Sequence, residues 1–242
     1  MKNEMVLELD FGGQYNQLIA RRVRECNVYS EVRPYSLSLA AIQELHPRGV
    51  ILTGGPESVY SEEALSVERE LFTLGAPVLG ICYGSQLMAQ ELGGRVEASR
   101  TSEYGKTELT ITVPDSRLFA GVPAKTTCWM SHTDYIAEPP PGFQVTATTP
   151  DCPVAGMEDS ARGLYAVQFH PEVLHTVEGK TMIRNFVREI CGCTGDWGMG
   201  SFADQTVAEL KTELGMGRAL CALSGGVDSS VAAVLLSKAI GR

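Results

Sequence analysis

The sequence predicts an α/β protein built on an open, largely parallel or mixed sheet flanked by helices, followed by the start of a second α/β unit. Three observations carry that expectation. As far as Gly94, short apolar runs alternate with helical repeats and each run hands over at a glycine turn, the pattern of a parallel sheet covered on both faces. From Glu97 onward the runs alternate apolar with polar residues between Pro and Gly turns, so this part of the sheet is antiparallel or mixed. Near the end, an apolar run, a Gly-Gly loop and a helical repeat follow one another once more.

Composition sets the outer limits. The chain has 242 residues, 44% of them hydrophobic, which suits one large or two small globular domains with a sizeable core. A net charge of -9 argues against a nucleic-acid or membrane binder, either of which needs a basic face. The first apolar run is broken at once by Glu8 and Asp10, so there is no signal-peptide core, and no run reaches transmembrane length. The seven cysteines include no C-x-x-C pair and read as reduced thiols of a cytoplasmic protein. Cys191-Gly-Cys193 is too tight for the common zinc spacings and only four histidines are present, so no metal site is assigned.

Taken in order, residues 5–10 form a strand that ends at Gly12-Gly13. Residues 15–26 carry Tyr15, Leu18, Ile19, Val23 and Cys26 on one helical face. A second strand over 28–35, a short helix over 37–45 and a third strand over 49–53 lead to Gly54-Gly55-Pro56. Residues 77–81 are a fourth strand, Cys82 sits on a sharp turn, and a helix runs from Gln86 to a Gly93-Gly94 stop. Residues 107–113, 125–130, 144–148 and 163–169 are further short strands. Sites of parallel sheets lie beyond the strand carboxyl ends, where Gly12-Gly13, Gly54-Gly55 and Cys82 all fall. Glycines at strand ends also serve simple turns, and Gly12-Gly13 reads equally well either way.

Cys82 is the organising residue. Gly80 and Gly84 flank it with the spacing of a nucleophile elbow, cysteine standing for serine. A thiol there lies above the sheet edge and at a helix N-terminus, where free N–H groups and the macrodipole favour thiolate. The Gly55 N–H, unobstructed by a side chain, pairs with the Tyr83 N–H as an oxyanion hole. Residues 129–134, Trp-Met-Ser-His-Thr-Asp, read as a polar turn after a strand, either a solvated loop or a substrate-binding one. In Gln168-Phe-His-Pro-Glu172 an extended backbone, favoured ahead of Pro171, puts His170 and Glu172 on the same side. The carboxylate then orients the imidazole and raises its basicity, completing a Cys-His-Glu triad. His46 and His175 are read as structural.

Gly80-Ile-Cys-Tyr-Gly84, Gly54-Gly-Pro-Glu-Ser58 and Gln168-Phe-His-Pro-Glu172 together resemble the three motifs of class I, triad-type glutamine amidotransferases. Asp10-Phe-Gly-Gly-Gln-Tyr15, Glu103-Tyr-Gly-Lys106 and Trp129-Met-Ser-His132 resemble the GMP synthase branch of that family. The resemblance implies a flavodoxin-like fold and a glutaminase that needs no cofactor of its own. It implies that Cys82 forms a glutamyl thioester, that His170 moves the proton and Glu172 orients it, and that Gln86, Ser131, His132 and Asp134 help bind L-glutamine. Gly13, Ser85 and Thr133 depart from the residues common in the family, and none belongs to the triad.

Cys193 is followed by a Gly/Trp-rich linker, and a helix capped by Ser201 then runs to Gly215. Residues 218–223 are an apolar strand, and Ser224, Gly225, Gly226, Val227, Asp228, Ser229 and Ser230 form a loop before a helix over 231–240. Strand, glycine loop and helix N-terminus make a phosphate cradle, and with no lysine after the glycines it is not a Walker A loop. It resembles the pyrophosphate loop of N-type ATP pyrophosphatases. The expected organisation is therefore an amidotransferase domain over 1–195, then a linker and the incomplete opening of an ATP pyrophosphatase domain over 196–242. In a full-length protein the resemblance implies ATP, Mg2+, xanthosine monophosphate as acceptor and a homodimer. Two other readings are an amidotransferase with a different acceptor, against which the 224–230 loop argues, and a non-catalytic glutamine-binding module, against which the intact triad argues.

Overall fold

The computed structural model describes residues 4–215 and 217–241, with the side chains of Arg100, Thr101 and Ser201 outside the described set. The chain divides into two compact units, 1–196 and 197–242.

The first unit is organised by one nine-stranded sheet in the order β2-β1-β3-β4-β9-β8-β7-β5-β6. Its parallel half consists of β1 (Met5–Asp10), β2 (Tyr29–Pro34), β3 (Gly49–Leu52), β4 (Val78–Ile81) and β9 (Leu164–Val167). Four antiparallel pairings then add β8 (Gly156–Asp159), β7 (Gln144–Thr148), β5 (Arg95–Ile111) and β6 (Lys125–Glu138). The mixed sheet expected from the sequence is what forms.

Strand alternation sorts the core into two layers. Val6, Ile51, Leu79 and Val167 face α1 (Asn16–Glu25) and α4 (Gly179–Arg184), whose Ile19, Val23, Met182 and Ile183 cover them. Leu7, Leu9, Leu52 and Val78 face α2 (Leu39–Leu45) and α3 (Tyr83–Glu91) through Ile42, Leu87 and Met88. Strands buried on both faces need continuous apolar runs, and β3 (Gly-Val-Ile-Leu) and β4 (Val-Leu-Gly-Ile) have them. Ser38 caps α2 by accepting the Ala41 N–H, and His46 closes it in the left-handed region.

Four expectations need correction. Residues 129–134 are not a turn: they lie inside β6, paired with β5. The cross-strand partners decide this, because Glu103 and Tyr104 stand opposite His132 and Ser131 and give the polar residues a ladder that their own composition does not announce. Residues 168–172 are not extended throughout; a turn at 171–172 carries Glu172 beside His170 instead. Strand β8, a 3-10 turn over Arg69–Thr73 and the helix α4, which continues as a π-turn over Asn185–Ile190, were not expected.

The fourth correction falls in the second unit, which holds α5 (Met199–Leu214) and α6 (Val227–Ile240). Residues 218–223 are not a strand but irregular chain, since among the described residues no strand lies beside them to take their backbone groups. The α5 helix is capped by Gly198, three residues ahead of the expected Ser201 cap, whose side chain lies outside the described set. The α6 helix starts at Val227, so the loop before it is shorter than expected. Among the described residues no helix is long and apolar enough to cross a membrane.

Candidate active site

The carboxyl ends of β1, β3, β4 and β9 open onto one cleft of about 260 Å³. Gly13, Gly55, Cys82, Ser131 and His170 are among its walls.

Cys82 follows β4 directly and is the N-cap of α3, with φ +52° and ψ -108°. A non-glycine residue rarely sits there, and the strain is held by its surroundings. The Cys82 N–H bonds the Val167 carbonyl at 2.9 Å, while its own carbonyl accepts from Ser85 and Gln86 in the first turn of α3. The glycines on either side leave no room for a side chain. A Cβ on Gly80 would lie 2.5 Å from the Gly84 oxygen, and one on Gly84 would lie 2.3 Å from the Leu52 oxygen. Sγ itself remains 3.8 Å from the Ser131 carbonyl and 3.8 Å from Gln168 Nε2.

His170 reaches the same point from the end of β9. Its Nδ1 lies 2.7 Å from Glu172 Oε1, and both side chains are buried. Burial pulls the imidazolium pKa down, but the contacts with Cys82 and Glu172 outweigh it and carry His170 up to about 10. The backbone is fixed as well: the His170 N–H bonds the Trp129 carbonyl at 3.0 Å, and Thr176 Oγ1 donates to the His170 carbonyl at 2.6 Å. Arg22 Nε donates to the Glu172 carbonyl at 2.9 Å and its Nη1 pairs with Glu25 at 2.8 Å. Sequence reasoning missed Arg22 and Thr176, because neither lies in a motif that marks it.

Gly55 and Tyr83 stand against each other, a Cβ on Gly55 falling 3.3 Å from the Tyr83 ring. Neither N–H is spent on a hydrogen bond to another described residue. Gly13 also packs tightly, for a Cβ there would lie 2.5 Å from the Gly54 oxygen.

The residues expected to bind glutamine are brought to this cleft, with their polar atoms differently employed. Gln86 Nε2 donates to the Asp134 carbonyl at 2.8 Å and to Gln168 Oε1 at 3.1 Å. The Asp134 carboxylate takes hydrogen bonds from Tyr60 at 2.8 Å and from Ser58. Ser131 places its carbonyl at Cys82, and His132 engages both ring nitrogens, one with Glu103 and the other with the Asp134 carbonyl. The loop of Ser224 to Ser230 belongs to the other unit. There Gly226 caps α6, Gly225 has φ +83° and Ser230 Oγ donates to the Gly226 carbonyl at 2.8 Å.

Among the described residues one group has metal-ligand spacing, Glu103, His132 and Cys152. Its donors are already matched: His132 bonds Glu103, Glu103 takes the Thr149 hydroxyl, and burial pushes the Cys152 thiol up to about 12, leaving it neutral. It is a hydrogen-bond network.

Residues 7–190 match the family model described as glutamine amidotransferase class-I. The chain is 60% identical over its full length to a GMP synthase [glutamine-hydrolyzing] of Clostridium botulinum, covering 47% of that protein. It is 58% identical over 239 residues to one of Clostridium perfringens, again covering 47%. The chain thus spans about half the length of the curated relatives it matches. Among solved structures, a GMP synthase subunit from Thermoplasma acidophilum superimposes with a TM-score of 0.70 at 31% identity, over 79% of this chain and 96% of the other. A Thermotoga maritima glutamine amidotransferase, at 18% identity and a TM-score of 0.62 over 79% of this chain and 99% of the other, shares the fold.

Proposed function

The chain belongs to the class-I glutamine amidotransferase family, and from that premise we propose that it hydrolyses L-glutamine to glutamate and ammonia at Cys82. The observation that carries this reading is the convergence of Cys82, His170 and Glu172 at one sheet edge, with the Nδ1 of His170 committed to Glu172 at 2.7 Å.

With Nδ1 engaged, Nε2 is the nitrogen left for the thiol, and the raised His170 pKa favours a thiolate and imidazolium pair. The thiolate attacks the side-chain amide carbon of glutamine, forming a C–S bond while the carbonyl π pair moves to oxygen. The Gly55 and Tyr83 N–H groups would receive that oxyanion. Expulsion of the amide nitrogen, protonated by His170, releases ammonia and leaves a thioester. A water molecule then gives a proton to His170 and its hydroxide adds to the thioester carbon. Collapse breaks the C–S bond, returning Cys82 and glutamate.

Because the relatives named GMP synthase are longer, we extend the proposal: in a protein of their length the ammonia would pass to xanthosine monophosphate activated by ATP with Mg2+. The 224–230 loop supports this. A Cβ on Gly225 would meet nothing within 4 Å, and the first turn of α6 offers backbone N–H groups to a pyrophosphate. Seven free cysteines support a reducing, cytoplasmic setting.

The test is glutamate release from glutamine by this chain, alone and with a synthetase portion supplied. Release that disappears in Cys82→Ala is the expected result. Equal release by both proteins would remove Cys82 from the reaction.

A further inference from the structure

The Glu103-Tyr-Gly-Lys106 motif has no place in the reaction just described, yet Glu103 is buried beside the cleft. Its partner is His132, and the geometry between them fixes a proton count. The Nδ1 of His132 lies 2.9 Å from the Asp134 carbonyl, which can only accept, so Nδ1 carries hydrogen and donates. The Nε2 lies 3.1 Å from Glu103 Oε2. One proton must occupy that line, on the imidazole or on the carboxyl, and the pair is neutral overall either way. Burial lowers the His132 pKa against the pull of Glu103.

Each end of the dyad is tied down. Thr149 Oγ1 donates to Glu103 Oε1 at 2.9 Å and itself accepts the Cys152 N–H at 3.0 Å. At the other end, the Asp134 carbonyl that takes the His132 proton also takes Gln86 Nε2, whose amide reaches Gln168 beside Cys82. The strand needs such a fastening at this place. In the β5–β6 ladder Ala98 pairs with Asp134 and Glu103 pairs with His132, so the register shifts between these two pairs. Glu103 stands at the near end of the regular pairing that follows the shift.

We propose that Glu103 and His132 are positioning residues for substrate recognition: the proton they share locks the 131–134 segment of β6 and, through the Asp134 carbonyl, the Gln86 amide at the cleft. This rests on the reading that the cleft takes glutamine. The dyad touches no reacting atom, so it acts on affinity more than on bond making.

Glutamine is the exception to a general loss on substitution at 103, because its amide nitrogen can donate to His132 Nε2 while its oxygen accepts from Thr149. In the 242-residue chain, glutamine binding is measured calorimetrically on a Cys82→Ala background, and KM and kcat on the native-cysteine background, with melting curves confirming folding. Glu103→Leu should weaken binding and raise KM about tenfold, equivalent to about 1.4 kcal/mol, while kcat changes less than about threefold. Glu103→Gln should restore both affinity measures to within about twofold of the native chain. Unchanged affinity in a folded Glu103→Leu chain overturns the inference, and so does a Glu103→Gln chain as impaired as Glu103→Leu. If the Cys82→Ala chain with Glu103 intact binds no glutamine at all, the functional reading falls and takes this inference with it.

Discussion

His170 Nδ1 and Glu172 Oε1 stand 2.7 Å apart with the carboxylate almost wholly buried, and the second carboxylate oxygen has no hydrogen-bond partner among the described residues. Glu172 is therefore committed to the imidazole, and its removal should be felt through His170. His170→Ala should lower turnover by about a thousandfold, within the usual range for a general acid and base. Glu172→Gln should cost less, about ten- to a hundredfold, since an amide oxygen still accepts from Nδ1 but no longer stabilises the imidazolium. Glutamate release by the two variants, assayed side by side, gives the order; a Glu172→Gln chain less active than His170→Ala would contradict the assigned roles.

The same pair sets a pH dependence of stability. His170 ordinarily titrates at 6.5 and is raised to about 10 in the fold, where burial is outweighed by Cys82 and Glu172. The folded chain thus binds the proton more tightly than the unfolded one, so this contribution is complete below pH 6.5 and is lost as pH rises through 10. Denaturation midpoints should fall across that window. Cys82→Ala removes one of the two raising partners, and its curve should be flatter over the same range.

Only one cysteine combines access to the cleft with a partner for its proton. Burial pushes the Cys128 and Cys152 thiols up to about 12 and Cys193 up to about 11, and it raises Cys26 and Cys191 as well. A glutamine analogue with an electrophilic carbon in place of the amide should therefore modify Cys82 selectively. Mass mapping of the labelled chain reads this directly. Equal label at Cys26 or Cys128 would mean that Cys82 is not specially activated.

Gly84 rests on Leu52 without a gap, a Cβ there falling 2.3 Å from the Leu52 oxygen and 2.6 Å from its Cβ. Backbone cannot yield as a flexible side chain can. Gly84→Ala should cost about 1 to 3 kcal/mol of stability by overpacking and should displace Cys82 enough to remove most activity. Gly75→Ala is the control for a glycine in open space; with φ +88° it carries conformational strain, but it lies away from the cleft and should leave turnover intact. Equal activities in the two variants would mean that the elbow tolerates a side chain at 84.

What could be read in advance was local. The glycines around Cys82, the strand-helix alternation and the His-Pro-Glu spacing act over a few residues, and each appears in the fold close to where it was expected. What could not be read depends on distant partners. Arg22 meets Glu172 across 150 positions, and neither residue advertises the other. Residues 131–134 are strand because β5 lies beside them, while 218–223, more apolar, are not strand for want of a neighbour. The helix from Gly179 was hidden by its own irregularity, since it passes into a π-turn at Asn185 and loses the 3.6-residue period. Only the fold also reveals why Gly179 is glycine, for a Cβ there would overlap the Pro171 carbonyl at 1.9 Å.

Glu8 offers the last test, because its carboxyl is buried without a good hydrogen bond among the described residues. It lies in the middle of β1 with no exposed surface, and neither carboxylate oxygen has a hydrogen bond among the described residues. The neighbouring Ser30 hydroxyl donates to the Ala20 carbonyl instead. Burial raises the Glu8 pKa from 4.5 to about 8, opposed by the nearby Ser30 hydroxyl and Arg24 and helped by the Glu172 charge. Glu8 is thus protonated in the fold at neutral pH and ionised in the unfolded chain. Its native environment is most favourable below pH 4.5, and that advantage is lost as pH rises through 8. At pH 7 the penalty is on the order of 3 kcal/mol, the free energy of holding the proton on a carboxyl that would ionise in water. Glu8→Leu, close in size and apolar, should recover much of it and remove the Glu8 contribution to the slope between pH 4.5 and 8, leaving the His170 contribution, which alone acts from pH 8 to 10, in place. Urea midpoints of the two proteins at pH 5 and pH 8 decide the matter: a difference that does not grow with pH would mean that Glu8 is ionised and solvated in the folded chain.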